Sequence, residues 1–243
     1  MTSDPVHPLR PLDGVGGVLI ALLALNGVAS IAFGLLQVGE LAALERYRRG
    51  DPISAGEVVD AINRSDLVSP IASWLIVLTG IVWLVWQHRA HANLRAAGVP
   101  HLAFTPRWAV GWWFVPFANL VKPFQTVREV WKASSGIDRW EARPTWPVIG
   151  WWWGMWVGGL AVGIGVGFAA AMSSDQLTQV DWMIRFAQIG LVSILPSIVM
   201  SILAIAIVRS VTDRQAGFVQ VVADRIAVPT RTDLVPGDEG ENP

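Results

Sequence analysis

The chain has 243 residues, of which 53% are hydrophobic and only 15% charged, and its formal net charge is −1. The absence of cysteine excludes a disulfide scaffold, a thiolate nucleophile and a Cys-ligated metal centre. The near-neutral balance offers no field for nucleic acid, and the apolar content excludes disorder and argues against a soluble globule. The class that remains is an all-α polytopic membrane bundle. It is predicted to hold four transmembrane helices, a short re-entrant or interfacial element and amphipathic surface helices.

Residues 1–13 are polar and carry three prolines, which predicts a flexible lead. Residues 14–38 contain no charge. As a helix this stretch reaches about 37 Å, enough to cross a hydrocarbon core of about 30 Å. It is too long for the apolar part of a cleavable signal, about 7–15 residues, so it reads as an uncleaved first span. Residues 40–69 form a charged extramembrane insert. Within it, Glu40–Arg49 reads as one short amphipathic helix stopped by Gly50 and Pro52. Ser54 and Glu57 have the spacing of a capping box, which opens a second short helix to about Arg64. Both are predicted to lie over the bundle. Residues 70–87 form a second span that passes into a polar helix ended by Gly98 and Pro100.

The segment from Trp108 to Val121 is apolar but spans only about 21 Å as a helix, too short to cross. It also holds Pro116, which removes a backbone donor, and Asn119. Unpaired backbone at membrane depth is tolerated only where protein or water covers it. Residues 107–135 are therefore predicted as a re-entrant or interfacial element that closes in an amphipathic helix, Phe124–Ser135. A third span follows over 146–172 and a fourth, interrupted by Pro196, over 186–208. An Asp181–Arg185 pair is expected to mark the start of the fourth. The tail, 210–243, is polar, with an amphipathic stretch to about Ala227 and disorder after about 229.

Positive-inside counting places the C-terminus and the 122–146 loop in the cytoplasm, with 13 of the 18 Lys/Arg inside. The same count arises with four or with five spans. Tryptophan placement separates the two: 12 of the 14 Trp fall between residues 83 and 156, and four spans bring them to one membrane face.

The strings Trp86-Gln-His-Arg-Ala-His-Ala-Asn93, Pro106-Arg-Trp-Ala-Val-Gly-Trp-Trp-Phe-Val-Pro-Phe-Ala-Asn-Leu-Val-Lys-Pro-Phe124 and Val127-Arg-Glu-Val-Trp131, with Gly150-Trp-Trp-Trp153, resemble an uncharacterised family of bacterial membrane proteins labelled domain of unknown function 4328. The resemblance covers about residues 70–210. It implies a bacterial membrane protein of about four spans, and no activity, cofactor or substrate. The 40–69 insert and the tail look less like the family.

Candidate site residues come in groups. Asn93, Pro116 and Asn119 read either as a coordinating re-entrant loop or as structural ties, with Asn119 satisfying backbone opened by Pro116 and Asn93 tying its helix. Arg107, Lys122 and Arg128, with Lys132 and the indoles of Trp112 and Trp113, read either as a rim for anionic lipid headgroups or as topology-setting charge. Glu129 is expected to form a surface ion pair with Arg128. His88 and His91 share a helix face, but a metal site would need a third ligand such as His101, so no metal and no cofactor are expected. Gly150, Gly154 and Gly158, then Gly159, Gly163 and Gly167, form small-residue rows that permit close helix approach, within the bundle or between protomers. Ser193, Ser197 and Ser201 repeat every four and are expected to bond across to that helix.

No ionisable residue lies inside a predicted span, and no phosphate-loop, zincin or serine-hydrolase motif is present. The function expected is that of a non-enzymatic scaffold or accessory subunit of the bacterial inner membrane, with a Trp-rich, basic, lipid-binding cytoplasmic rim. Its partners would be membrane lipids, anionic ones included, a second copy or another membrane protein, and not nucleic acid. The alternative is a small transporter or channel component with a site between Pro116–Asn119 and Pro196.

Overall fold

A computed structural model describes residues 9–136, 139–172 and 179–227. Its elements are α1 (Asp13–Arg49), α2 (Ala55–Ala96), α3 (Pro106–Gly111), α4 (Lys122–Ala133), α5 (Pro147–Met172) and α6 (Gln179–Ala227), with 3₁₀ turns at Ala118–Leu120 and Trp140–Ala142. Four of them (α1, α2, α5 and α6) are long and apolar enough to cross a membrane. The protein is thus an all-α bundle. Residues 108–121 make no fifth span, because the six-residue α3 ends at Gly111 and turns follow.

The helices outrun their spans. α1, α2 and α6 have 37, 42 and 49 residues, about 55, 63 and 73 Å at 1.5 Å per residue. The two short surface helices expected within 40–69 are therefore not separate: they are the far ends of α1 and α2. A hydrogen-bonded helix has no reason to stop where the bilayer does, and its stop signals lie further on. Gly50, at φ 74°, ends α1, with the Gly50 and Asp51 N–H groups donating to the Tyr47 and Arg46 carbonyls. Ser54 caps α2, its Oγ accepting from the Glu57 N–H at 3.1 Å. Pro70 and Pro196 both lie inside continuous helices, as prolines in membrane helices often do.

α1 packs along α6 and against α2. Close approach between α1 and α6 is made by glycines of α1. A Cβ on Gly16 would meet Thr212 Oγ1 at 2.8 Å, and one on Gly34 would run into Ile194 Cδ1. The rows expected to do this on α5 do not. A Cβ at Gly150, Gly154, Gly158, Gly159, Gly163 or Gly167 meets nothing within 4 Å. α5 leans on its neighbours only through its first turns, and from Gly158 onward its described side chains are exposed apart from half-buried Val166. The serine row also bonds differently. Ser193 and Ser197 donate back to carbonyls of their own helix, Gly190 and Ser193.

The core lies at one end of the bundle. Leu19, Trp86, Leu94, Ile149, Val127, Val130, Ile207, Val208 and Val211 are essentially solvent-free there. A small second cluster, Leu44, Val58 and Ile184, holds the opposite end. Beside it Arg48 meets Asp181 across the helices at 3.7 Å. Between the two ends, Leu25, Val28, Ile31, Leu35, Ile76, Val77, Val192 and Leu195 face outward, as side chains solvated by lipid would.

Candidate functional site

The tryptophan-dense end is built on indoles. Trp83 stacks on Trp152 at 5.0 Å and Trp153 on Trp156 at 4.8 Å, while Trp113 stands edge-on to Trp83, Trp153 and Trp156. Trp86, Trp140 and Trp152 are buried. Much of what the sequence suggests as a rim is therefore a core, and several of its indole N–H groups find directed partners. Trp113 donates to Gln87 Oε1 at 2.9 Å, and Gln87 in turn donates to Thr126. Trp153 donates to the Leu120 carbonyl and Trp140 to the Pro100 carbonyl. These bonds fasten the 100–121 segment to α2 and α5.

A second network ties the termini of the bundle. Asn93, 5% exposed, accepts from the Arg10 N–H at 2.9 Å and donates to the Arg10 carbonyl at 2.8 Å and to Gln215. Gln215 donates to the Ala90 carbonyl and to Ser134. Asn93 is thus a structural tie, and the last residues of the N-terminal lead are docked, with Leu12 3% exposed. Arg214 lies over the Trp131 ring and donates to the Trp131 carbonyl and to Ser135 at the end of α4, where cations favour the helix dipole.

On the outer side of α4 is a cleft of about 630 Å³. Lys122, Arg128 and Lys132 reach it from α4; Phe104, Trp108, Trp112 and Trp140 supply its aromatic walls. Lys122 Nζ sits 5.8 Å from the Phe104 ring and 5.6 Å from the Trp112 ring, a cation held between two π faces. Arg128 lies over Phe124. None of the three cations forms an ion pair among the described residues.

Glu129 does not make the expected surface pair with Arg128. It turns inward, 6% exposed, and accepts from the N–H groups of Ala103 at 2.7 Å and Phe104 at 3.2 Å, which pins the cleft wall to α4. Its burial raises the carboxyl above the ordinary range, against the pull of those two amides. Behind it His91 is fully buried, Nδ1 3.7 Å from Glu129 Oε1, and neither ring nitrogen has a hydrogen-bond partner. Burial, helped by the charge on Arg95, pushes this imidazole down to about 3, so it is neutral. His88 is exposed and His101 pairs with Glu141 on the surface, so the three imidazoles do not share a site.

Of the residues singled out by sequence, the fold brings Trp112, Lys122 and Arg128 to one cleft. Trp113 enters the core. Arg107 and Pro116 are exposed and Asn119 is half-buried, and none of these three lines the cleft. The carbonyl of Val115 accepts the backbone N–H of Asn119 at 2.9 Å, so the Asn119 side chain is not needed for that turn. Neither Asn119 nor Pro196 lines the basic cleft or any of three further well-formed clefts. Sequence reasoning missed Gln87, Thr126, Gln215 and the inward role of Glu129. The only signal for the last was its place in the amphipathic repeat of α4, one residue from Val130.

The sequence over residues 49–213 matches the family model of the domain of unknown function DUF4328. The chain belongs to that family. The match begins before the second span, so DUF4328 includes the far end of α2, part of the insert that looks less family-like in sequence; most of α1 lies outside it. Neither a curated protein nor a solved structure matches the chain.

Proposed function

We propose that this DUF4328 protein is a non-enzymatic scaffold or accessory subunit of the bacterial cytoplasmic membrane, and that its cleft binds anionic lipid headgroups on the cytoplasmic side, where its C-terminus also lies. The observation that carries this reading is the convergence of Lys122, Arg128 and Lys132 on one aromatic-walled cleft. Beside it Trp108, Phe114, Phe117 and Val121 are 52%, 71%, 86% and 51% exposed. Such a belt sits at headgroup depth in a bilayer and brings the cations to lipid phosphates. An accessory role draws support from the outer half of α5, whose side chains are left exposed among the described residues.

The test is native mass spectrometry of the full chain released from nanodiscs of mixed phosphatidylglycerol and phosphatidylcholine. Phosphatidylglycerol is expected to stay bound preferentially. Lys122→Gln and Arg128→Gln should each weaken it several-fold, since a Lys or Arg near an anionic surface contributes about 1 kcal/mol, while Arg107→Gln, outside the cleft, changes it least. Equal retention of the two lipids, or indifference to Lys122 and Arg128, would overturn the proposal.

A further inference from the structure

A second cavity lies on the membrane side of the Gln87–Trp113 bond, about 330 Å³ in volume. All four spans contribute to it, and Trp83, Trp113, Phe114, Trp152 and Trp156 give its walls five aromatic rings. No ionisable side chain lines it, so an occupant is neutral. Consecutive residues separate it from the basic cleft: Trp112 lines that cleft and Trp113 lines this cavity.

Its polar groups are few and unequal. Thr79 is satisfied, donating to the Leu75 carbonyl and accepting from Asn26. Ser201 is not. It is 9% exposed, lies on the cavity wall, and its hydroxyl makes no hydrogen bond among the described residues. Ser193 and Ser197, one and two turns earlier on α6, both bond back to their own helix. Trp83, on the same wall, has an indole N–H that is buried and without an acceptor. Buried donors are normally satisfied, and a mostly apolar cavity with one or two directed polar groups is the usual form of a small-molecule site.

We propose that this cavity binds a neutral, membrane-soluble molecule with an apolar body and a carbonyl acceptor, which receives the Ser201 hydroxyl while the indoles hold the body. That carbonyl belongs either to the ring of a quinone or to the ester of a glycerolipid. The site is independent of the basic cleft and of the function proposed for it.

The experiment uses the full chain in nanodiscs of ether-linked phosphatidylcholine, which has no ester carbonyl. Isothermal titration with a short-chain 1,4-benzoquinone and, separately, with a short-chain diacylglycerol reads saturable binding. One equivalent of at least one of them is expected to bind, and which one binds names the source. Gly80 lines the cavity and a Cβ on it meets nothing within 4 Å, so Gly80→Leu adds a bulky side chain at the cavity wall without a clash. It is expected to abolish binding with the melting temperature retained. Ser201→Ala is expected to weaken binding several-fold, and Lys122→Gln to leave it unchanged. No saturable binding of either compound, or equal binding by folded Gly80→Leu, would overturn the proposal.

Discussion

The two halves of α5 behave as if they belonged to different proteins. Its first turns place Ile149, Trp152 and Trp153 at 0%, 5% and 8% exposure against α2, α4 and α6. Past Gly158 the same helix exposes Val162, Ile164 and Phe168 at 58%, 65% and 67%. Both halves are apolar and glycine-rich, and the first carries all four Trp of the helix. The difference lies in what solvates them. At the tryptophan-dense end, protein surrounds protein, and directed hydrogen bonds tie α2 to α4 and α6 and fasten the 100–121 segment. Along the rest of the bundle, lipid supplies the contacts, so apolar side chains point outward without the cost they would carry in water.

The sharpest way to break this contrast is to remove one indole from each environment. Trp86, on α2, is fully buried and donates to Thr212 at 3.3 Å, whereas Trp151, near the start of α5, faces outward at 71% exposure. Trp86→Ala is expected to cost about 3–5 kcal/mol, as large core truncations do, and Trp151→Ala close to nothing. Thermal melting of both variants in the same detergent checks it.

Glycines give a second contrast of smaller size. Gly34→Ala drives a methyl into Ile194, and overpacking of this kind costs about 1–3 kcal/mol. Gly163→Ala adds a methyl in open space and is expected to be neutral or to stabilise by up to about 1 kcal/mol through helix propensity. A melting comparison in which Gly163→Ala proves as damaging as Gly34→Ala would show that α5 has a helix partner in the assembly.

The smallest effect is in pH. His91 is held neutral by burial, its folded value about 3 against 6.5 when unfolded. The unfolded chain therefore binds the proton more readily, so His91 contributes stability that is complete above 6.5 and is lost as pH falls from 6.5 toward 3. Glu129 has the opposite sign, because its raised carboxyl favours proton uptake on folding. A series from pH 7 to 5 on the native chain and on His91→Phe separates the two. The native chain is expected to lose melting temperature relative to the variant across that interval.

The sequence makes legible what local chemistry decides. The span positions, the break at 108–121 and the stops at Gly50 and Gly98 follow from apolar run length and turn residues within a few positions of one another. So does the Ser54 cap. The separate short helices expected in 40–69 do not exist because the end of an apolar run is not the end of a helix. In the site, Lys122, Arg128 and Trp112 are readable because one amphipathic stretch carries or adjoins them. Gln215 sits 122 residues from Asn93, and Glu129 26 from Ala103; no local pattern places such pairs together. The α5 glycines record a capacity for close approach that no helix of this chain takes up among the described residues.

The basic cleft and the helix ends and loops around it are expected to lie on one side of the membrane. The native chain has no cysteine, so single exposed positions can be labelled with a membrane-impermeant maleimide in intact cells and in inverted vesicles. Tyr47→Cys, Arg95→Cys and Ala142→Cys mark the far end of α1, the end of α2 and the loop before α5. Positions 95 and 142 are expected to label from the same side, the cytoplasmic one, and position 47 from the other. Labelling of 95 and 142 from opposite sides would contradict the four-span arrangement and split the site.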